Sequence, residues 1–327
     1  MTKTMGRLNV LAAAVLWSSS GIFAKADFFA DWPQEWRGLI FAFWRAFFAA
    51  LILLPGVRGV RFRPLLVPMV LCFAGMNVTF LTAMVRSTAA NAIWLQNLAP
   101  FWVLLATLLV FREPMERKDA VPLVCAILGV LLILGFELGG GMTGSRVGVL
   151  CGVLSGVFYA GVVVTLRQLR DENAVWLTAV NHVAAAVLLV PVVLRLGILP
   201  DARQLLWLAA FGALQMAAPY ILLSRGLRVV SSQEAVAIAL TEPVLSPVWA
   251  FLVWGERPAW WTLCGAALIL TGLFLRYVVW EIFVVPAPQR VSAAPSLSPH
   301  AEQTPDAAMP DNAADCRASP TTVDPAS

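Results

Sequence analysis

Charge is scarce in this chain. Lys, Arg, Asp and Glu supply 13% of 327 residues, about half the share found in a soluble domain. So few ionic groups cannot cover a surface that faces water, which excludes a soluble globular protein. Histidine is rarer still: His182 and His300 are the only two, too few for a His-rich metal site. The five cysteines, Cys72, Cys125, Cys151, Cys264 and Cys316, form no CxxC pair, and the first four lie in apolar blocks as small core hydrophobes. No Walker loop, HExxH or GxSxG context occurs, which argues against an ATP-driven pump or a hydrolase. Gly139 to Gly144 matches GxGxxG in letters, but it follows an apolar block rather than a strand. Asn77-Val78-Thr79 has glycosylation spacing but lies within an apolar block, out of reach. No cofactor and no metal are expected.

Apolar residues are abundant: 60% of the chain, with a mean hydropathy of +0.79. They come in long blocks broken by short polar stretches, the pattern of membrane spans of about 20 residues each. Ten spans are predicted, over 8–26, 38–55, 65–84, 89–111, 119–137, 147–166, 174–194, 204–224, 234–254 and 259–281. Linkers such as Arg86-Ser87-Thr88 and Gly255-Glu256-Arg257-Pro258 leave room only for antiparallel neighbours. The formal charge is +4, but its basic residues are scattered singly, with no stripe to track phosphates, so no nucleic acid is expected. They read as topology signals. The side holding the N-terminus collects 14 Lys and Arg against 7 on the other, which predicts that both termini are cytoplasmic. Ala24-Lys25-Ala26 resembles a cleavage site after the first apolar run, but loss of that helix would break the repeat described next, so it is expected to stay. From 285 to 327 the chain turns rich in Pro, Ala, Ser and Asp, a disordered cytoplasmic tail.

The sequence repeats. At an offset of 143 residues, Pro100 falls on Pro243, Leu109 on Leu252, Glu113 on Glu256 and Gly129 on Gly272 without a gap. At 141, Trp17 falls on Phe158; at 136, Pro55 falls on Pro191 and Arg45 on Asn181. Residues 1–137 and 147–281 thus form two five-helix units. Five is odd, so the second unit enters from the opposite side. The expected fold is an all-α polytopic membrane protein of two inverted five-helix repeats, with a solute site near the midplane between them.

The Trp17-Ser18-Ser19-Ser20 segment, Arg45, and the paired Pro…Glu ends of the fourth and ninth spans resemble the EamA domains of the drug/metabolite transporter superfamily. The resemblance runs over about 8–281. It implies a ten-helix inner (plasma) membrane exporter or importer of amino acids, other metabolites or drugs, with Trp17 and Ser18 on the solute pathway.

Within the spans, Arg45 is too deep for easy escape to a membrane face. A charge at a helix centre costs ~2.5–3.5 kcal/mol, so it should meet a partner or a wet cavity. Solute binding and a structural role both remain open for it. Glu242 is the only carboxylate well inside a predicted span. It is either a proton-coupling acid or cation partner, or a protonated group bonded to backbone freed by Pro243 and Pro247. Its repeat equivalent is Ala99, so any charge chemistry there is asymmetric. These two prolines and Pro100 are expected to loosen their helices. Glu113 and Glu256 oppose their helix dipoles and are expected to cap the helix that follows each. The polar set Asn77, Trp94, Gln96, Asn97, Tyr159, Asn181, His182, Gln215 and Tyr220 divides between helix joining and pathway lining; His182 alone is expected to join helices. Gly148, Gly152 and Gly156 make a small-residue ridge, either within the fold or at a homodimer face. The favoured function is a secondary transporter, an exporter of small solutes working by alternating access in a lipid bilayer. The alternative is a membrane-embedded enzyme or receptor on the same bundle, for which one Arg, one Glu and one His on separate helices are thin provision.

Overall fold

A computed structural model describes residues 2–109, 117–139, 145–275 and 279. The described residues are all-helical apart from turns and loops. The helices are α1 (Lys3–Ala24), α2 (Gln34–Leu53), α3 (Leu66–Arg86), α4 (Ala89–Gln96 and Ala99–Leu109), α5 (Arg117–Gly139), α6 (Arg146–Gln168), α7 (Ala174–Leu196), α8 (Ala202–Gly226), α9 (Ser232–Ala239 and Thr241–Trp254) and α10 (Trp260–Phe274). Among the described residues, nine of these contain a stretch long and apolar enough to cross a membrane. The tenth, α10, is apolar but 15 residues long, and ends beside the last continuously described residue. Residue 113 and the tail from 285 lie outside the described residues.

Local chemistry sets the helix ends. Asn173 accepts from Val175 N and Trp176 N, and Asp201 with Gln204 closes a capping box, so orphan amides are satisfied. Gly197 and Gly255 end α7 and α9 in the left-handed region, at φ 63° and 67°, where glycine carries no Cβ penalty.

Two helices break where the sequence points. The first segment of α4 stops at Gln96, four residues before Pro100, and that of α9 stops at Ala239, four before Pro243. A proline has no N–H for the carbonyl four residues back, and its ring clashes there. Pro247, by contrast, sits inside the second α9 segment without ending it. An additional irregularity, a π-helical stretch over Phe211–Ala217, lies in α8.

Hydrogen bonds between elements identify the two ends of the bundle. The near end holds the starts of α1 and α9, joined by Lys3 and Arg7 to Glu234. There Arg63 also pairs with Glu172 at 2.7 Å, and Trp176 Nε1 donates to Arg61 O at 3.1 Å. The far end holds the end of α1 and the start of α8: Trp207 Nε1 donates to Phe23 O at 3.1 Å and Gln204 Nε2 to Phe28 O at 2.8 Å. It is filled by buried aromatics, with Phe23 stacked on Phe211 at 5.0 Å and Phe29 edge-on to Phe41 at 4.8 Å. The most extensive pairings are α3 with α6, α5 with α10, α4 with α6, and α1 with both α8 and α9.

In lipid the hydrophobic effect gives little drive between helices, so close packing must hold them. The glycine ridge of α6 does this within the fold: a Cβ on Gly148 would meet the Arg86 backbone at 2.7 Å, and one on Gly156 the Leu95 carbonyl at 2.7 Å. Outside, large side chains such as Leu71, Leu131, Leu150, Leu194 and Leu252 are exposed, a surface suited to hydrocarbon.

Candidate functional site

Arg45 lies at the centre of α2 and is 1% exposed. Its Nη1 donates to Gln215 Oε1 at 2.9 Å and its Nη2 to Asn77 Oδ1. Each amide spends its other end on backbone: Asn77 Nδ2 donates to Ala42 O and Gln215 Nε2 to Trp17 O, both at 3.2 Å. Gln215 reaches Arg45 from the π-helical stretch of α8, the kind of irregularity that re-aims a side chain. The rings of Phe80 and Phe211 flank the guanidinium, 5.9 and 5.1 Å from Cζ. Two hydrogen bonds to a charged group are worth roughly 1.5–3 kcal/mol each, enough to offset the ~2.5–3.5 kcal/mol of placing a cation mid-helix in a bilayer. Arg45 thus ties α2, α3 and α8 together, and through Gln215 it also reaches α1.

His182 is 1% exposed. Its Nδ1 lies 2.8 Å from Thr178 O; a carbonyl only accepts, so Nδ1 carries the proton. The ring packs against Phe73 of α3 at 4.9 Å and Tyr220 of α8 at 5.9 Å. Its ring thus touches α3 and α8 from α7. Asn181 beside it is buried, and its Oδ1 has no partner among the described residues.

Glu242 has the opposite environment. It is the second residue of the second α9 segment, one residue before Pro243 and just past the break. It is partly exposed, and no hydrogen bond or ion pair is seen for its carboxyl among the described residues. On α9 the residues Val244, Val248 and Phe251 are exposed, while Pro243, Ser246, Pro247 and Ala250 are packed. Glu242, Leu245 and Trp249 form the stripe between, and Trp249 Nε1 donates to Ser18 Oγ of α1 at 2.9 Å. That stripe therefore turns toward α1. There Trp17 meets Tyr220 of α8 edge-to-face at 5.2 Å. A cavity of about 80 Å³ opens beside Tyr220 between the near ends of α2, α7 and α8.

The remaining polar residues separate by position. Ser18 is buried, with its hydroxyl donating to Val15 O at 2.6 Å. Trp94 is 3% exposed, part of the core. Asn97 donates to Ile93 O at 2.8 Å and finishes the first α4 segment, and Gln96 beside it is partly exposed. Tyr159 sits on an open part of α6, 39% exposed.

One expectation is corrected. Glu256 does not cap the helix that follows it; it accepts from Ala89 N at 2.5 Å, at the start of α4, and pairs with Lys25 of α1. Its own helix ends beside the start of α4 at the far end, where a carboxylate meets free amides. A second carboxylate is buried at the far end of the bundle. Glu137 of α5 is 0% exposed, accepting from Asn91 Nδ2 at 2.9 Å and Trp261 Nε1 at 3.2 Å. Thr262 Oγ1 donates to Asn91 Oδ1 at 2.8 Å, so α4, α5 and α10 are clasped together. Its place as the last residue of the fifth predicted span hid Glu137; only the long contact to Asn91 shows its role.

A bundle of apolar helices long enough to cross a bilayer, with charged residues on them, defines a multi-pass membrane protein. The family model described as "EamA-like transporter family" matches twice, over residues 4–135 and 146–278, and the chain belongs to that family. It is a secondary transporter of small solutes in the plasma (inner) membrane, not an enzyme. Among characterised and catalogued relatives, an uncharacterized transporter of Archaeoglobus fulgidus is 28% identical over 277 residues, 83% of this chain and 96% of that protein. The pseudopaline exporter CntI of Pseudomonas aeruginosa is 28% identical over 214 residues, 62% of this chain and 72% of that protein. A protein crystal structure aligns with a TM-score of 0.58 at 15% identity, covering 85% of this chain and 99% of that one, a likeness of fold.

Proposed function

We propose that this chain exports a small polar metabolite by alternating access, using a site between two inverted five-helix repeats. The observation that carries this reading is the pair of breaks in α4 and α9. They fall at equivalent positions 143 residues apart, the two helices pack on each other, and Glu242 stands just past the second break. Interrupted helices at a repeat interface are where transporters of this architecture bind solute. The caps repeat as well: Thr88 accepts from Asn91 N at 3.0 Å and Ser231 from Glu234 N at 3.2 Å.

Helix packing supports the same symmetry. Replacing each helix by the one five later turns the α3–α6 pairing into α8–α1, and α4–α6 into α9–α1. The pairings α2–α7, α5–α10 and α4–α9 map onto themselves. In this reading the far end is the closed gate, sealed by its aromatics and by Lys25 with Glu256. The near end, with the opening beside Tyr220, is cytoplasmic together with both termini. Trp17, Tyr220 and Glu242 line the solute pathway, with Gln96, Asn97 and Tyr159 along its walls. Ser18, Asn77, Trp94, Asn181, His182 and Gln215 support it from within the protein. Export rather than import is favoured by the exporter among the relatives.

The test is counterflow into proteoliposomes loaded with candidate metabolites, with and without a pH gradient. Saturable exchange supports the reading; a chain that moves none of a broad metabolite set opposes it. Reporter fusions after residues 60, 140 and 285 check the orientation. Residues 60 and 285 should report the cytoplasm and residue 140 the opposite side; a periplasmic signal after 285 contradicts it.

A further inference from the structure

Two pairs of loops occupy corresponding places in the sequence repeats, one pair at each end of the bundle. At the near end the α2–α3 loop lies against the α6–α7 loop. Arg63 pairs with Glu172 at 2.7 Å, Trp176 Nε1 donates to Arg61 O at 3.1 Å, and Leu66, Met69, Leu169 and Trp176 are buried together beneath. At the far end the α7–α8 and α1–α2 segments meet through Gln204 and Phe28. Charge separates the two pairs. With the adjoining helical turns, the far pair spans 21–37 and 193–205 and holds four basic and four acidic residues. The near pair spans 50–69 and 165–177 and holds Arg58, Arg61, Arg63, Arg167 and Arg170 against Asp171 and Glu172. All five arginines are exposed, and among the described residues only Arg63 has an ion-pair partner. Between them stands Phe62, 81% exposed and edge-on to Trp176 at 5.5 Å.

We propose that this near-end patch binds the headgroup of an anionic phospholipid, whose acyl chains lie along the apolar surface just inside it. That surface is present: Val67 and Leu71 are exposed on the first turns of α3, and Val163 one turn before Arg167 on α6. Arginine clusters at the ends of membrane helices attract anionic lipid, and the planar guanidinium fork matches phosphate oxygens. An exposed aromatic ring among basic groups suits the headgroup–acyl boundary. Basic residues on one side of a membrane are sufficient to set topology; that function does not require two loops from different halves of the sequence to bring their arginines together around a bare phenylalanine. The far pair supplies the contrast. Its Leu199 is also 81% exposed, an apolar tip that any lipid can cover, but its charges balance. The ligand is a lipid rather than a soluble anion, because the arginines border a surface that faces hydrocarbon.

The experiment titrates the purified full chain in detergent with phosphatidylglycerol or with phosphatidylcholine of the same acyl chains, and counts bound lipid by native mass spectrometry. Each arginine near the surface is worth about fivefold in binding. Wild type should therefore prefer phosphatidylglycerol by about 20-fold or more, and Arg61→Gln with Arg170→Gln should remove about 20-fold of its affinity while leaving phosphatidylcholine unchanged. Lysine at both positions should keep most of the preference. Arg225→Gln with Arg228→Gln removes equal charge from the same end, outside the patch, and should change little. On the unmutated chain, about 1 M sodium chloride should abolish most of the preference, because screening then acts within about 3 Å. Equal affinity of wild type for the two lipids overturns the proposal, as does a preference that survives Arg61→Gln with Arg170→Gln. An equal loss in the Arg225 and Arg228 variant would show diffuse charge rather than a site. Displacement by sodium phosphate, where sodium chloride of equal ionic strength has no effect, would show a soluble-anion site and overturn it too.

Discussion

Arg45 and Glu242 both sit on membrane-spanning helices near the centre of the bundle, and the fold treats them in opposite ways. Arg45 gives both terminal nitrogens to amides, each secured at its other end, and only its Nε lacks a partner among the described residues. Glu242 is a partly exposed residue beside a helix break, and no bond to its carboxyl is seen among the described residues. Charge alone therefore does not mark a solute site; the partners that each charge already holds must be weighed with it. A group whose electrostatic needs are left for something else to meet is the better marker.

The contrast predicts different failures. Arg45→Ala should break the bundle, since it strands Asn77 and Gln215 in the interior at ~1–3 kcal/mol each. A melting midpoint in detergent should fall steeply, by the equivalent of about 3 kcal/mol or more, or the folded protein should be lost on size exclusion. Arg45→Lys should recover only part, because an ammonium cannot present two parallel N–H groups to both amides. An Arg45→Ala protein as stable as wild type would erase the distinction between the two charges.

The far end gives a graded test. Glu256→Ala removes both the cap on Ala89 N and the partner of Lys25, whereas Glu256→Gln keeps the acceptor and removes only the ion pair. The cap is worth about 1 kcal/mol and a partly exposed pair ~0.2–1 kcal/mol, so Ala should cost more than Gln. In a background freed of native cysteines, a cysteine replacing Ala26 should react faster with a membrane-impermeant thiol reagent from the far side in both variants. Equal reactivity to the parent would show that the pair does not hold that gate.

The smallest effect belongs to the near end. The hydrogen bond from Arg7, reinforced by Lys3, holds the Glu234 carboxyl below its ordinary range. A depressed carboxylate contributes stability that is present above the unfolded pKa and fades as pH falls through the folded one. The tie between α1 and α9 should thus be intact at neutral pH and lost on acidification below the usual carboxylate range. Because the pair is exposed, high salt should mask the effect. A Glu234→Gln variant should lack this acid-range step in melting midpoint; an identical pH profile in both proteins would remove the tie.

Much of this was legible in the sequence because its causes are local. Apolar blocks gave the helices, and Pro100 and Pro243 foretold the breaks through the hydrogen bond each one removes. The offset of 143 residues brought the two breaks into register before any coordinates. What stayed hidden depends on contacts between distant segments. Asn91 and Glu137 meet across 46 residues, and Ala89 meets Glu256 across 167; neither has a pattern in the intervening chain. The π-helical stretch that aims Gln215 has only Pro219 nearby as a hint. The depth of Arg45 was readable, but whether amides or a solute would meet it was not, because that turns on how α2, α3 and α8 face one another.

The comparison comes down to one measurement on Glu242→Gln: melting midpoint and metabolite counterflow from the same preparation. Gln keeps the size and hydrogen-bonding capacity of Glu and removes its charge. The midpoint should match wild type, while counterflow of the transported metabolite falls about tenfold or more. A large drop in midpoint with transport per folded molecule unchanged would make Glu242 the structural group and contradict the account.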